Sequence, residues 1–407
     1  MNQRVNQTIG LAPMEGVTDL PTRLWFSQCS QPQFATTPFL RVTRDYPAKR
    51  IPSTFCPENS FSPSLLTYSV APQLMGSEVE HMLPIAEHLL KTSPFVDFNC
   101  GCPAPTVVGN RAGSAILEKV DFFASYVEKL CQNLGPQNVS IKMRLGFNSE
   151  SEFPALLSAI QNLNIYRLTV HGRTRTDRYL GQARWAPIDL ASQSSFPVVG
   201  SGDVVNFLSA QERLKKAPNV NGVIIGRGAL RNPWIFEEIR QKKELFISLK
   251  SVQISLVVYA LLQEIYQKCP EKLFVAIENG IFTQMPGIDF EKWKVLFQQL
   301  SALHFESETK FEEINCSLGT LAKIKMMWNS LRSALPECFF EPTVLRVRQL
   351  PDFLAAINGC FEKYLETLNH SASNKPIDFY SQEPLLRLSY KSCYDWIYSG
   401  GKATHDK

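Results

Sequence analysis

A chain of 407 residues, 44% hydrophobic and 20% charged, has the make-up of a soluble globular protein with room for one large domain and a smaller one. No apolar run is long enough to span a bilayer, and Met1-Asn2-Gln3-Arg4-Val5-Asn6-Gln7 lacks the apolar stretch of a signal peptide; both predict a cytoplasmic protein with no membrane partner. The net charge of +4 and pI near 8.4 permit a nucleic-acid partner without requiring one, and ten cysteines scattered from Cys29 to Cys393 do not make a disulfide framework.

Short strand-like runs recur as far as Arg227. In chain order they are Ile9–Met14, Phe34–Thr36, Leu65–Val70 leading through Pro72 to Gln73-Leu74, Phe95–Phe98, Val139–Met143, Arg167–Val170, Pro197–Gly200 and Gly222–Ile225. Between them lie amphipathic stretches with apolar residues at helical spacing, among them Ser77–Leu90, Asp121–Leu134 and Glu152–Leu163. Alternating strands and helices predict a parallel sheet, and eight strands in this length favour an α/β fold of the (β/α)8 TIM barrel type. After Asn232-Pro233-Trp234 glycine becomes sparse and long helical runs follow at Ile235–Tyr266, Phe290–Leu303, Leu318–Leu335 and Leu350–Leu368. The expected division is a catalytic barrel over 1–240 and an all-α helical domain over 241–368 with an insertion around 269–318. A C-terminal tail over 369–407, rich in aromatics such as Phe379, Tyr380, Tyr390, Tyr394, Trp396 and Tyr398, has the composition of a segment that docks.

A barrel enzyme carries its reactive groups where the strands finish, because the loops there form one common face. The strand ends here hold Pro13-Met14-Glu15-Gly16, Gln73, Asn99 with Cys102, Lys142 with Arg144, His171-Gly172-Arg173, Gly200-Ser201-Gly202-Asp203 and Gly226-Arg227-Gly228. Polar or glycine clusters at nearly every end point to a site rather than to packing. The thiol of Cys102 lies just past a strand, in a turn held open by Pro103, Pro105, Gly109 and Gly113. Cys100 and Cys102 form a C-x-C pair with no second Cys/His pair at ligand spacing, so no metal is predicted. Cys100 points away from Asn99 if the strand persists and reads as packing. Glycines at Gly202 and Gly226 with Arg227 form a phosphate signal at the last two strands; tight turns with an exposed arginine are the plainer alternative. A lysine ending a strand inside an apolar run is costly to bury alone. Lys142 therefore pairs with Asp97 or faces an electron-rich ring such as a flavin, whose reduced anion a cation stabilises. His171 is either a bond to the same cofactor or a structural histidine. Without the grammar of acyl transfer, Cys102 suits a general acid that protonates a carbon beside one receiving hydride.

Five stretches resemble the tRNA-dihydrouridine synthases in that family's order: Leu11-Ala12-Pro13-Met14-Glu15-Gly16-Val17-Thr18-Asp19, Asn99-Cys100-Gly101-Cys102-Pro103, Lys142-Met143-Arg144-Leu145-Gly146, Val170-His171-Gly172-Arg173-Thr174 and Ile225-Gly226-Arg227-Gly228-Ala229. They cover about the first 235 residues. The Asn-Cys-Gly-Cys-Pro wording, Thr37-Pro38-Phe39-Leu40-Arg41-Val42, and Ala322-Lys323-Ile324-Lys325 to Leu331-Arg332 are similar to the bacterial C-type branch. The resemblance implies reduction of the uridine C5=C6 bond in the tRNA D-loop, at position 16 for that branch, with FMN as cofactor and NADPH re-reducing it. It implies that Cys102 protonates C5 after hydride reaches C6. Asn99 would lie by the flavin and the uracil. Pro13, Met14, Glu15, Gln73, Lys142 and His171 would hold the flavin ring and ribityl chain. Ser201 would bond the flavin, Gly202, Asp203, Gly226 and Arg227 would lie toward the phosphate, and Arg41, Arg144 and Arg173 toward the substrate nucleotide. Lys323, Lys325, Arg332, Arg346 and Arg348 would meet tRNA phosphates, or would be ordinary solvated helix faces. A monomer fits an enzyme that must wrap a large substrate.

The chain departs from the family at two residues, and its insertion around 269–318 and its long tail exceed the usual C-type length. Pro105 stands where many members carry a lysine three residues after the cysteine, and Ser201 where the family commonly has asparagine. Two other functions stay open on sequence alone. One is a flavin barrel that reduces a small-molecule alkene or pyrimidine, and the other is a tRNA-binding relative without catalysis.

Overall fold

The computed structural model describes residues 8–44, 46–47, 50–60, 68–268, 316–370 and 385–387. These divide into two compact units, one holding 8–20 and 31–229 and the other 21–30 and 230 onward.

The first unit is built on ten short strands: β1 (Thr8–Leu11), β2 (Phe34–Thr36), β3 (Leu40–Arg41), β4 (Ser69–Ala71), β5 (Gln73–Met75), β6 (Val96–Cys100), β7 (Val139–Arg144), β8 (Arg167–His171), β9 (Val198–Ser201) and β10 (Gly222–Ile225). All pair in parallel, in the order β3-β5-β6-β7-β8-β9-β10-β1-β2-β4. The order has two ends only because two strands are interrupted. Pro72 alone separates β4 from β5, and residues 37–39 separate β2 from β3. Proline has no N–H for the ladder, yet its carbonyl still accepts from the Asp97 N–H at 2.9 Å. Taking each interrupted pair as one strand gives eight strands in a closed ring, the (β/α)8 barrel expected from the sequence. The expected run at Leu65–Thr67 lies outside the described residues.

Helices cover the outside. α2 (Val79–Leu89), α4 (Val120–Leu134) and α5 (Phe153–Ile160) fall on the three amphipathic stretches. In α4 the residues Phe123, Tyr126, Val127, Leu130, Cys131 and Leu134 repeat every three or four positions and are buried, and Gly135 at φ 82° ends the helix. α6 (Ala186–Ala191), α7 (Phe207–Lys216) and the short α3 (Pro105–Val108) complete this unit, with α8 (Arg227–Arg231) beginning at its end.

The side-chain period of two decides what the barrel contains. On β6 and β7 the apolar residues Val96, Phe98, Cys100, Val139, Ile141 and Met143 alternate with Asp97, Asn99, Ser140, Lys142 and Arg144. The polar set faces the barrel interior, as the bond from Ser140 Oγ to Asp97 Oδ1 (2.6 Å) requires. Strand register then stacks the interior in rows. Gln73, Asp97, Ser140 and Arg167 pair along one row, Asn99, Lys142, Thr169 and Val199 along the next, and Arg144, His171 and Ser201 above them. At the N-terminal end the Arg167 guanidinium stacks on Phe34 (4.3 Å) and Phe95 (5.1 Å), and Tyr166 stacks on Phe95 at 3.9 Å, so aromatic rings floor the barrel.

The second unit contains α1 (Leu20–Cys29), α9 (Ile235–Gln241), α10 (Leu249–Lys268), α11 (Leu318–Arg332) and α12 (Leu350–His370), with a two-stranded pairing of β11 (Phe246–Ser248) and β12 (Leu385–Arg387). The single helix expected over Ile235–Tyr266 is in fact two. Lys242 takes a left-handed conformation, φ 55°, that closes α9, and Phe246–Ser248 is then used as a strand. Trp25 donates from Nε1 to the Ser255 carbonyl (2.7 Å), and the Glu264 carboxylate accepts from the Ser317 N–H (2.9 Å), tying α11 to α10. Trp328, Phe339, Phe353 and Phe361 pack edge to face beneath. The expected helix at Phe290–Leu303, nearly all of the insertion and the tail aromatics lie outside the described residues. No helix among the described residues is long and apolar enough to cross a membrane.

Candidate active site

The C-terminal end of β6 runs into the turn that carries Cys102, and the turn is held from both sides. Asn99 Oδ1 accepts from the N–H groups of Gly101 (3.0 Å) and Cys102 (2.9 Å). Beyond the thiol, the Cys102 carbonyl accepts from the N–H (3.0 Å) and the Oγ (2.9 Å) of Ser114. The second clamp depends on Gly113, at φ 60°, where a Cβ would stand 2.9 Å from the Cys102 carbonyl oxygen. Pro105 takes the first turn of α3, where a missing N–H costs nothing. Cys102 itself is partly open and, like Phe39 and Ala104, packs against Met75, Val107 and Ala112, whereas Cys100 is buried and points to the outer layer. Arg41 reaches the same loop, donating from Nη2 to the Thr106 carbonyl at 3.4 Å.

Four cations and one histidine gather around this turn. The Lys142 ammonium has no hydrogen bond or ion pair among the described residues; the Asp97 carboxylate instead takes its bonds from Gln73 and Ser140. Burial and the nearby Arg144 charge pull the Lys142 ammonium from 10.5 down to about 8. His171 is held well below its ordinary value by burial and by Arg144, Lys142, Arg173 and Arg227, so its ring is neutral at pH 7. Arg144 and Arg173 are structural anchors in this geometry. Arg144 donates to the carbonyls of Gly101 (2.7 Å), Thr174 (2.9 Å) and Arg178 (2.7 Å). Arg173 donates from Nη2 to both Asp203 carboxylate oxygens (2.8 and 2.9 Å), both side chains 2% exposed, and from Nε to the Leu180 carbonyl. Asp203 also accepts from the Ala183 N–H at 2.6 Å, which commits it to the loop rather than to open space.

The loop that these arginines carry presents Tyr179, which the sequence reading passed over. Its ring is 45% exposed and lies under the Arg227 guanidinium (4.3 Å), with Arg144 at 5.4 Å. The signal available in the sequence was one tyrosine among Arg173, Arg175, Arg178 and Arg184. Pro13, Met14 and Glu15 form the turn after β1, fixed by the Thr18 hydroxyl accepting from the Met14 N–H (2.8 Å); partial burial raises the Glu15 carboxyl above its usual value. Ser201 ends β9 beside His171 in register. Gly226 follows β10, and a Cβ there would meet Ala12 and Met14 at 3.6 Å, an ordinary contact. In the other unit Lys325 donates to the Val347 carbonyl, and Arg332 bonds Asn329 and lies over Phe340. Lys323 is partly exposed, and Arg346 and Arg348 are exposed.

A closed parallel barrel whose strand ends gather a clamped thiol, a lysine with no side-chain partner among the described residues, a neutral histidine and an arginine is an enzyme of the (β/α)8 class. The family model described as dihydrouridine synthase matches residues 10–309. A tRNA-dihydrouridine(16) synthase of Haemophilus ducreyi is 31% identical over 239 residues, 57% of this chain and 73% of that one. The enzyme of the same description from Pasteurella multocida is 30% identical over 238 residues, 56% and 75% of the two chains. A probable tRNA-dihydrouridine synthase of Aquifex aeolicus is 29% identical over 221 residues, 53% and 69%. The chain belongs to the dihydrouridine synthase family.

Proposed function

We propose that this barrel reduces the C5=C6 bond of a D-loop uridine in tRNA to 5,6-dihydrouridine, at position 16, with FMN bound at the strand ends and NADPH as reductant. Family membership makes the chain an enzyme that converts tRNA uridine to dihydrouridine.

The donor set fits a flavin phosphate. The Lys142 ammonium is partly buried and has no side-chain partner among the described residues, and an electron-rich ring edge is the kind of group that offsets its desolvation. Gly226 follows β10 with no side chain of its own and adjoins Arg227 in the chain, a backbone N–H and charge pairing of the kind a phosphate needs. Gln73 and neutral His171 add hydrogen-bonding edges, and Pro13, Met14 and Glu15 a wall. The flavin, when bound, supplies the hydride that C6 receives.

Cys102 carries the reading. Its backbone is clamped at both the N–H and the carbonyl, which fixes where the thiol can point. The thiol gives its proton to C5 as the C–H bond at C6 forms, and the electron pair left on sulfur lies within the field of Lys142 and Arg144. Water then returns the proton. Arg41, tied to the same loop, lies where it can meet the nucleotide. We further propose that 1–240 does the chemistry and that 241–368 holds the tRNA as a monomer, through exposed Arg346 and Arg348 and partly exposed Lys323. The test is purified protein, NADPH and unmodified tRNA, with dihydrouridine mapped by position. Cys102→Ala should stay yellow and lose turnover by about a hundredfold or more, the scale of a general acid. Wild-type turnover in that variant, or reduction of free pyrimidines with no effect of tRNA, overturns the proposal.

A further inference from the structure

Beneath the cysteine turn runs a line of hydrogen bonds whose direction is fixed at both ends. At the lower end Asp97 is buried, 1% exposed; burial raises its carboxyl above the ordinary value, and in its ionised form it only accepts. Its Oδ1 takes the Ser140 hydroxyl and its Oδ2 takes the Gln73 Nε2, both at 2.6 Å. With Nε2 committed downward, Gln73 must turn its Oε1 to Asn99, whose Nδ2 donates to it at 2.9 Å. Asn99 must then turn its Oδ1 upward, where it receives the N–H groups of Gly101 and Cys102.

The upper end gives the same answer independently. Backbone N–H groups only donate, so Asn99 must present oxygen to them and nitrogen to Gln73, and Gln73 must present nitrogen to Asp97. Neither amide can flip without placing two donors or two acceptors face to face in a buried site. The Gln73 main chain is itself pinned, since its N–H donates to the Thr37 hydroxyl at 2.9 Å. Arg167, in the same row and stacked on Phe34 and Phe95, puts a positive charge near the carboxylate without forming an ion pair within bonding distance.

We propose that Asp97 is a positioning residue: acting through Gln73 and Asn99, it sets the orientation in which the Cys102 turn is presented to substrate. It touches neither substrate nor thiol. Its effect is to leave Asn99 one allowed orientation, the one that holds the two N–H groups flanking the reacting side chain. The functional half of this inference rests on the reading of Cys102 as the proton donor.

The test compares Asp97→Leu, which removes the acceptor at similar size, with Asp97→Asn. Asparagine can keep an oxygen toward Gln73 and give its amide hydrogens to Ser140 Oγ. In the flavin-loaded leucine variant, amide hydrogen exchange at Gly101 and Cys102 should speed up, while reduction of the flavin by NADPH, read at its visible absorbance, stays near the wild-type rate. Transfer to tRNA should fall by roughly ten- to a hundredfold, the scale expected from small misplacement of a reacting group. Asp97→Asn should recover most of that loss. Unchanged exchange at Gly101 and Cys102, wild-type transfer, or equal loss in both half-reactions overturns the proposal. Should the leucine variant fail to fold, Asp97→Asn with Ser140→Ala makes the same cut: each single change should be mild and the pair far worse than their product. A wild-type protein that reduces no tRNA sinks the function proposed above, and the exchange measurement still decides what Asp97 does to the turn.

Discussion

Lys142→Met tests the cost of the site directly. Burial and Arg144 bring the Lys142 ammonium down from 10.5 to about 8. At about 1.4 kcal/mol per pKa unit, keeping that charge in the folded chain costs about 3 kcal/mol, less what water reaching the cavity recovers. Methionine fills a similar volume without charge, so the flavin-free variant should be more stable than wild type by about 2–3 kcal/mol at pH 7. The sign of the pH dependence is fixed. Below about 8 the folded and unfolded chains both hold the proton and the full cost is present. Between there and 10.5 the folded chain has released a proton that the unfolded chain keeps, so wild-type stability gains on the variant as pH rises. Urea unfolding of both proteins, followed by tryptophan fluorescence from pH 7 to pH 10, measures the gap. A variant no more stable at pH 7, or a gap that does not narrow by pH 10, refutes the reasoning. The same variant should bind flavin more weakly, so stability would be gained where function is lost.

Asp203→Asn leaves the buried Arg173 guanidinium without its charge partner and should lower stability by about 3–5 kcal/mol in thermal unfolding; a change near zero would show that the pair is solvated. Gly226→Ala should leave stability within about 0.5 kcal/mol, since its Cβ meets only ordinary contacts, while flavin affinity measured by titration falls. His171 is neutral when folded but titrates near 6.5 when unfolded, so acid below that pH should destabilise wild type more than His171→Asn. Equal acid sensitivity of the two proteins in urea unfolding would remove the burial argument for that ring.

The sequence made the barrel legible because its strands alternate with amphipathic helices and because reactive residue types fall at strand ends. The run through Pro72 reads in sequence as one strand, whereas the structure has β4 and β5 on either side of that proline. Hidden from it was which face of the strands carried the polar residues. Val96-Asp97-Phe98-Asn99-Cys100 reads as a strand in either orientation, and only the closed register places Asp97 and Asn99 inside. Arg144 and Arg173 look in sequence like substrate-binding arginines. Their commitment to carbonyls and to Asp203 depends on the loop from Thr174 to Gly181, whose backbone path no local pattern predicts. The same loop explains why Tyr179 went unread. Helix periodicity continued across residues 242–248, and only the left-handed Lys242 and the pairing with Leu385–Arg387 show the break.

The aromatic floor has a consequence for traffic. With Phe34, Arg167 and Phe95 stacked across the N-terminal end, each less than a tenth exposed, the barrel is a cup rather than a tunnel. On the proposed function, the reductant and the nucleotide to be reduced share a single doorway at the strand ends. One visitor has to leave before the next can reach the cofactor, and the order of events in each turnover follows from a closed floor on the opposite side of the ring.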